Sequence, residues 1–251
     1  MINIKTEKEI EIMREGGRML AEMLKRLAEE ARPGIATEDL EKLARELVLS
    51  YKVKPSFLGY GGYPAVLCAS VNDEIVHAVP SDRKLKEGDL LKLDFGIIHK
   101  GFHTDSALTV LIPGGKESDN ALKEKLINVT RESLRIGISK AKAGNALGDI
   151  GSAIQKYVEL NGFNVVRDLV GHGIGRELHE EPQVLNYGQA GSGLELKTGM
   201  VLAIEPMVVT GKWQIKDGKD GFVFLTKDGG LSAHFEHTVV ITHGGPKVLT
   251  E

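Results

Sequence analysis

Two acidic residues, Asp94 and Asp105, interrupt stretches that otherwise read as buried β-strand, Leu90 to Ile98 and Ala107 to Ile112. The stretches flank a turn at His99-Lys100-Gly101, where Gly101 can take the positive φ of a tight hairpin. Antiparallel pairing then sets the two carboxylates about opposite each other. An unpartnered carboxylate among Leu91, Leu93, Phe95, Leu108 and Val110 costs several kcal/mol, so a positive charge has to sit between them. Lys92 is the one basic residue that alternates into these strands at a matching position. A hard cation held by oxygen ligands therefore accounts for the pair most simply. The alternative is a pair of N-capping or turn aspartates.

Laying one half of the chain over the other enlarges the set. Ala31 to Leu40 matches Ala141 to Ile150, and Leu85 to Asp94 matches Leu196 to Glu205, at nearly equal separations of about 110 residues. Asp94 and Glu205 then hold the same position in two repeated halves. The overlay sets Asp105 beside Glu236 in HFEHTVVIT, and His77-Ala-Val-Pro80 beside His179-Glu-Glu-Pro182. With pseudo-two-fold packing the acids Asp94, Asp105, Glu205 and Glu236 converge on one axis. They cannot all ionise there without compensating charge, and two divalent ions sharing bridging carboxylates would use all of them.

His172, in LVGHGIGRELHEEP, is a further candidate ligand, because neutral imidazole suits Mn, Fe, Co or Zn better than Mg or Ca. The string GHGIG lacks the spacing of a nucleotide-binding loop. Such a pair of ions yields a nucleophilic water near neutral pH and polarises a carbonyl, so amide hydrolysis follows. His77 and His179 are then left to donate hydrogen bonds to the substrate carbonyl or the developing oxyanion. For any one of these histidines an ordinary polar role is the alternative. His103 and His234 precede Asp105 and Glu236 by two residues, so they border the site on the same strand faces without ligating. His99 and His243 read as loop residues.

The elements that carry these residues follow from periodicity and punctuation. Thr6 and Glu9 have capping-box spacing before a helix of about Lys8 to Ala31, which Pro33-Gly34 ends. Thr37 can cap a second helix, Glu38 to about Tyr51. A glycine-rich loop, Gly59 to Pro64, precedes a strand from Ala65 to Val71. Beyond Pro113-Gly114-Gly115 come helices of about Asn120 to Ala141 and Leu147 to Leu160, then short strands that include a hairpin from Ile215 to Thr226.

A chain of 251 residues with 41% apolar content can bury a full core as one domain, with halves of about 1–113 and 114–251. A net charge of −3 with interspersed signs gives no reason to expect nucleic acid or an anionic membrane as partner. Cys68 is the only cysteine, which excludes an internal disulfide and fits a reducing compartment. The N-terminus carries no apolar h-region, and no run reaches the roughly 18 apolar residues of a membrane span. The expectation is a cytoplasmic protein.

LDFG with Asp94, HTDSA with Asp105, GHGIG with His172, AIEP with Glu205 and FEHT with Glu236 resemble, in order and spacing, the ligand motifs of type I methionine aminopeptidases. The likeness covers essentially the whole chain. It implies an α/β pita-bread fold, in which two pseudosymmetric halves of helices pack on a curved antiparallel sheet around two divalent ions, with Co, Mn, Fe and Zn as candidates. It further implies that Asp105 and Glu236 bridge the ions, Asp94 chelates one, and His172 and Glu205 complete the other. By the same resemblance Glu205 accepts the proton of the attacking water, His77 and His179 contact substrate, and Tyr60, Tyr63, Cys68 and Phe222 form the methionine pocket. The pattern departs at Leu178 and Phe222, where an aromatic and Trp are expected, and at Ala78 and His234, where Gly and Gln are more usual. The activity implied is removal of the initiator methionine from nascent polypeptides with a small second residue, by a monomer working near the ribosome.

Two other readings compete. Aminopeptidase P or prolidase shares the fold and cleaves X-Pro peptides, but usually carries an N-terminal domain, and only about 80 residues precede the acidic hairpin here. A metal-free binding module that has lost catalysis would not be expected to keep Asp94, Asp105, His172, Glu205 and Glu236 together.

Overall fold

The structure, a computed structural model, describes residues 2–251. Helix α1 (Glu7–Glu30) opens on the expected capping box, with Thr6 and Glu9 satisfying each other's backbone N–H groups. Helix α2 (Thr37–Ser50) begins one residue before its expected start. Thr37 does not cap it: its hydroxyl is engaged by Ser81, and Asp39 instead accepts the Ala36 N–H at 3.2 Å. Helix α3 (Glu117–Lys140) also starts early, because its first turn carries no apolar residue that periodicity can register. Helix α4 is Leu147–Leu160.

The strands, in chain order, are β1 (Lys54–Pro55), β2 (Leu67–Val71), β3 (Glu74–Val76), β4 (Leu90–His99) and β5 (Phe102–Leu111), then β6 (Asn164–Val165), β7 (Gly171–Gly173), β8 (Glu180–Val184) and β9 (Val201–Ile204). They continue with β10 (Met207–Val209), β11 (Ile215–Asp217), β12 (Phe224–Thr226), β13 (Ser232–His234), β14 (Glu236–Thr242) and β15 (Gly245–Val248). The main sheet runs β1-β4-β5-β14-β9-β7-β8, with β2 added to β4 and β15 to β14. The expected hairpin from Ile215 to Thr226 forms as β11 and β12 and pairs with β3.

Alternation along β4 sorts the layers. Leu91, Leu93, Phe95 and Ile97 pack with Leu20, Leu24 and Leu27 of α1 and Leu40 and Ala44 of α2. Lys92, Asp94 and Gly96 therefore face the opposite side. On β14 the same rule sends Val239 and Ile241 to a core shared with α3 and α4, and Glu236, Thr238 and Val240 away from it. This antiparallel sheet, with helices on one face and acids on the other, is the layering that the resemblance to the pita-bread proteins implies.

Two features recur at the positions that the sequence overlay pairs. Isolated bridges join Ala36 to Lys84 and Ala146 to Glu195. Asp39 accepts the Ala36 N–H, and Asp149 accepts the Ala146 N–H at 2.8 Å. The β5–β14 seam joins the parts of the chain that carry these motifs. Glu236 pairs with Ala107 and His237 with Ser106, while Ser106 Oγ donates to the Glu236 carbonyl and Asp105 N donates to Thr238 Oγ1. No helix among the described residues is long and apolar enough to cross a membrane.

Candidate metal centre

Five neighbouring strands each deliver one residue to the same place: Asp94 from β4, Asp105 from β5, Glu236 from β14, Glu205 just beyond β9 and His172 from β7. Register fixes their spacing. Asp94 lies opposite Ala107, and Ala107 opposite Glu236, so these two acids flank one position of the middle strand. Asp105 pairs with Gly96 rather than with Asp94, so the two aspartates are diagonal neighbours and not directly opposed as the sequence suggested. The hairpin turn is the two-residue Lys100-Gly101, both at positive φ (48° and 84°), one residue shorter than expected.

Glycines hold the strands close enough. A Cβ on Gly171 would stand 2.3 Å from the Ala203 carbonyl oxygen, and one on Gly173 would stand 2.3 Å from that of Glu181. Strand β7 thus fits between β8 and β9 only with glycine on both sides of His172. At Gly96 a Cβ would meet the Phe57 ring at 2.8 Å, so the glycine opposite Asp105 admits Phe57 to the cavity wall.

The carboxylates are buried without cations from the chain. Asp94, Asp105 and Glu236 are 6%, 4% and 2% exposed. Among the described residues none of them pairs with Lys or Arg, and Glu205 is approached by two imidazoles, His172 at 3.5 Å and His234 at 3.7 Å, both of which burial keeps neutral. Asp94 Oδ1 and Glu236 Oε1 have no hydrogen-bond partner. Burial, then the nearby Asp105, pushes the Asp94 carboxyl well above the usual range, and burial pushes Asp105 up to about 7. Burial and the other acids raise Glu205 and Glu236 as well. Burial drives His172 down to about 3, which keeps its imidazole neutral, and its Nδ1 bonds the Gly173 carbonyl at 2.9 Å, leaving Nε2 free. Asp105, His172 and Glu236 place one ligand atom each within 4.8 Å of one another. Oxygen-rich donors, orphaned lone pairs and a neutral imidazole fit divalent cations.

The cluster forms the floor of a cavity of about 240 Å³ walled by Phe57, Tyr60, Tyr63, His77, Leu178, His179 and Phe222. Tyr63 and Phe222 meet edge to face at 5.4 Å. His179 Nδ1 is 2.7 Å from the Tyr60 hydroxyl. His77 has φ 63°, a conformation rare outside glycine, and borders both this cavity and a second one lined by Val76, Leu169, Glu181 and Gln183. Cys68 does not reach the cavity surface; it is 3% exposed, beside Asp94 in register and packed behind Tyr63. Phe57 went unread in the sequence, since one aromatic ahead of a glycine-rich loop has no periodicity to mark it. His103 is outside the cavity lining, its Nδ1 3.0 Å from Ser56 Oγ, whereas His234 is 1% exposed and inside the acid cluster.

Comparison with known proteins agrees over the full length. A profile described as metallopeptidase family M24 matches residues 11–243. A methionine aminopeptidase of Clostridium perfringens is 49% identical over 250 residues, covering 100% of this chain and 99% of that protein. The crystal structure of methionine aminopeptidase from Thermotoga maritima superposes with a TM-score of 0.96 at 45% identity, covering all of both chains. An Xaa-Pro dipeptidase from Bacillus anthracis shares the fold, with a TM-score of 0.78 at 22% identity over 99% of this chain and 62% of that one.

Proposed function

Because the chain belongs to metallopeptidase family M24, and within it to the methionine aminopeptidases, we propose that it removes the initiator methionine from nascent polypeptides whose second residue is small. The observation that carries this reading is the junction of the acid cluster with an apolar wall in one cavity. Tyr63, Leu178, Phe222 and Phe57 offer a thioether side chain an apolar, partly aromatic surface. Tyr63 is a fixed part of this wall, its hydroxyl donating toward the Leu67 and Ala78 carbonyls at 3.1 and 3.0 Å. The second cavity, across His77 and His179, takes the polypeptide beyond the cleaved bond.

Asp94, Asp105, His172, Glu205 and Glu236 would hold two divalent ions. When bound, such a pair supplies an activated water and polarises the scissile carbonyl. Glu205 takes the proton from the nucleophile and passes it to the leaving amine. A Tyr60 hydroxyl donating to His179 Nδ1 fixes the tautomer with its proton on Nε2, which points His179 as a donor to the oxyanion. His77, next to His179 across the substrate path, steadies the carbonyl. The matching bridges and Asp caps at Ala36 and Ala146 support one catalytic unit built from a duplicated half. Spread charge and the lack of a spanning helix among the described residues suit a cytoplasmic monomer meeting chains as they leave the ribosome.

Hydrolysis of a Met-X-Ser panel, with Co, Mn, Fe and Zn in turn, tests this. Met-Gly-Ser and Met-Ala-Ser should be cleaved and Met-Leu-Ser spared. Preferential cleavage of Ala-Pro peptides would sink it in favour of the X-Pro reading.

A further inference from the structure

His234 sits on the far side of Glu205 from His172. Its ring is 1% exposed, and neither Nδ1 nor Nε2 has a hydrogen-bond partner. An imidazole so buried should satisfy at least one nitrogen, since leaving it bare costs free energy comparable to a lost hydrogen bond. Its backbone is held from both sides, because Thr109 Oγ1 donates to the His234 carbonyl at 2.7 Å and accepts its N–H at 2.9 Å. Pairing of Met207 with His234 ties the same residue to the strand that follows Glu205. The ring is therefore aimed by the sheet at the acids.

Glu205 reaches two ways, with Oε1 3.5 Å from His172 Nε2 and Oε2 3.7 Å from His234 Nε2. The second separation is too long for a hydrogen bond. It is close to the roughly 3.4 to 3.6 Å between two donors that each lie about 2.1 Å from a common ion. Glu236 supplies a third donor: its Oε1 has no partner, and Glu205, His234 and Glu236 bring one ligand atom each within 4.8 Å of one another. The amide usual at this position in the resembling sequences is a poor ligand for borderline transition metals; an imidazole is a good one.

We propose that Glu205, His234 and Glu236 form an additional divalent-cation position, selective for nitrogen-preferring ions such as Co, Zn or Fe, beside the pair assigned above. The proposal rests on that dinuclear reading and adds a site to it. Glu205 then bridges an ion on each side, and occupancy of the additional position withdraws charge from the carboxylate that accepts the proton. High concentrations of such ions would accordingly inhibit, while Mg would not.

Cobalt(II) titration of the full-length chain, followed by proton NMR and by metal analysis per chain, tests this. Each coordinated imidazole gives a far-shifted, exchangeable N–H signal; His172→Gln and His234→Gln assign them, with circular dichroism as the check on folding. The expected result is a His172 signal that saturates with the first two ions and a His234 signal that grows with a third. His234→Gln should abolish the latter and weaken third-ion binding by roughly tenfold or more. Two ions bound with only the His172 signal would overturn this inference and leave the dinuclear reading standing. A His234 signal that saturates with the first two ions would overturn the separate position. No shifted imidazole signal at all would overturn both.

Discussion

Lys92 and Asp94 stand two residues apart on the same face of the same strand, both buried, and the chain treats them oppositely. The Lys92 ammonium has its partners built in: the Asn72 carbonyl at 2.8 Å, Ser232 Oγ at 3.2 Å and the Ser232 carbonyl at 3.4 Å. Asp94 has Asp105 for a neighbour and one oxygen with no partner. A buried charge with local partners is part of the scaffold. A buried charge among like charges has its counter-ion supplied from outside the chain, and that marks a site.

The largest expected break in this comparison is Glu205→Gln, which keeps the shape and removes one carboxylate charge and the proton acceptor. Turnover on Met-Ala-Ser should fall by about 10² to 10⁴; near-normal turnover with metals still bound would refute the proton role. Second comes the response of stability to pH. In chelator-treated protein, carboxyls whose folded pKa is raised favour the native state at low pH and lose that contribution as pH climbs from 3.8 through about 7, the Asp105 window. Melting temperature should drop across that range. With Co or Mn present the slope should reverse, because binding needs deprotonated ligands and tightens as protons leave. Parallel curves would mean that the acids are not the ligands.

Lys92→Met sharpens the other side. It strands the Asn72 and Ser232 oxygens, so stability should fall by about 1 to 3 kcal/mol in urea titration while metal stoichiometry holds. Burial lowers the Lys92 ammonium from 10.5 to about 7, so wild-type stability should rise with pH over that interval, and the Met variant should lose the rise. A change in metal content would instead tie Lys92 to the site. The smallest effect is expected of Tyr60→Phe, which frees the His179 tautomer. A loss of about 0.5 to 1.5 kcal/mol in kcat/KM, carried mainly by kcat, corresponds to one neutral hydrogen bond; a pure KM effect would assign Tyr60 to binding alone.

Much of the centre was legible because buried acids violate a pattern. Asp94 and Asp105 stand out in apolar strands, and the overlay of Leu85 to Asp94 on Leu196 to Glu205 adds a third acid without any structure. Register was not legible to the same degree. A turn of two residues rather than three shifts the whole pairing by one, so that Asp105 falls opposite Gly96 and Asp94 opposite Ala107, and the positive φ of Lys100, an unremarkable residue by type, goes with the shorter turn. Thr37 reads as a cap because its side chain is able to cap, yet Ser81, distant in sequence, takes the hydroxyl. Phe57 escapes notice for a similar reason: it reaches the cavity through the room that Gly96 leaves, and that room is a tertiary quantity.

The seam between β5 and β14 carries a further consequence. Asp94 and Asp105 lie on one side of it, His172, Glu205 and Glu236 on the other, and only two residue pairs of ladder join them. Neither portion alone brings all five residues of the proposed pair together, so the pair gains its full set of donors only when the edges meet. An ion seated there works as a clasp, and its departure should loosen this junction before any other part of the sheet.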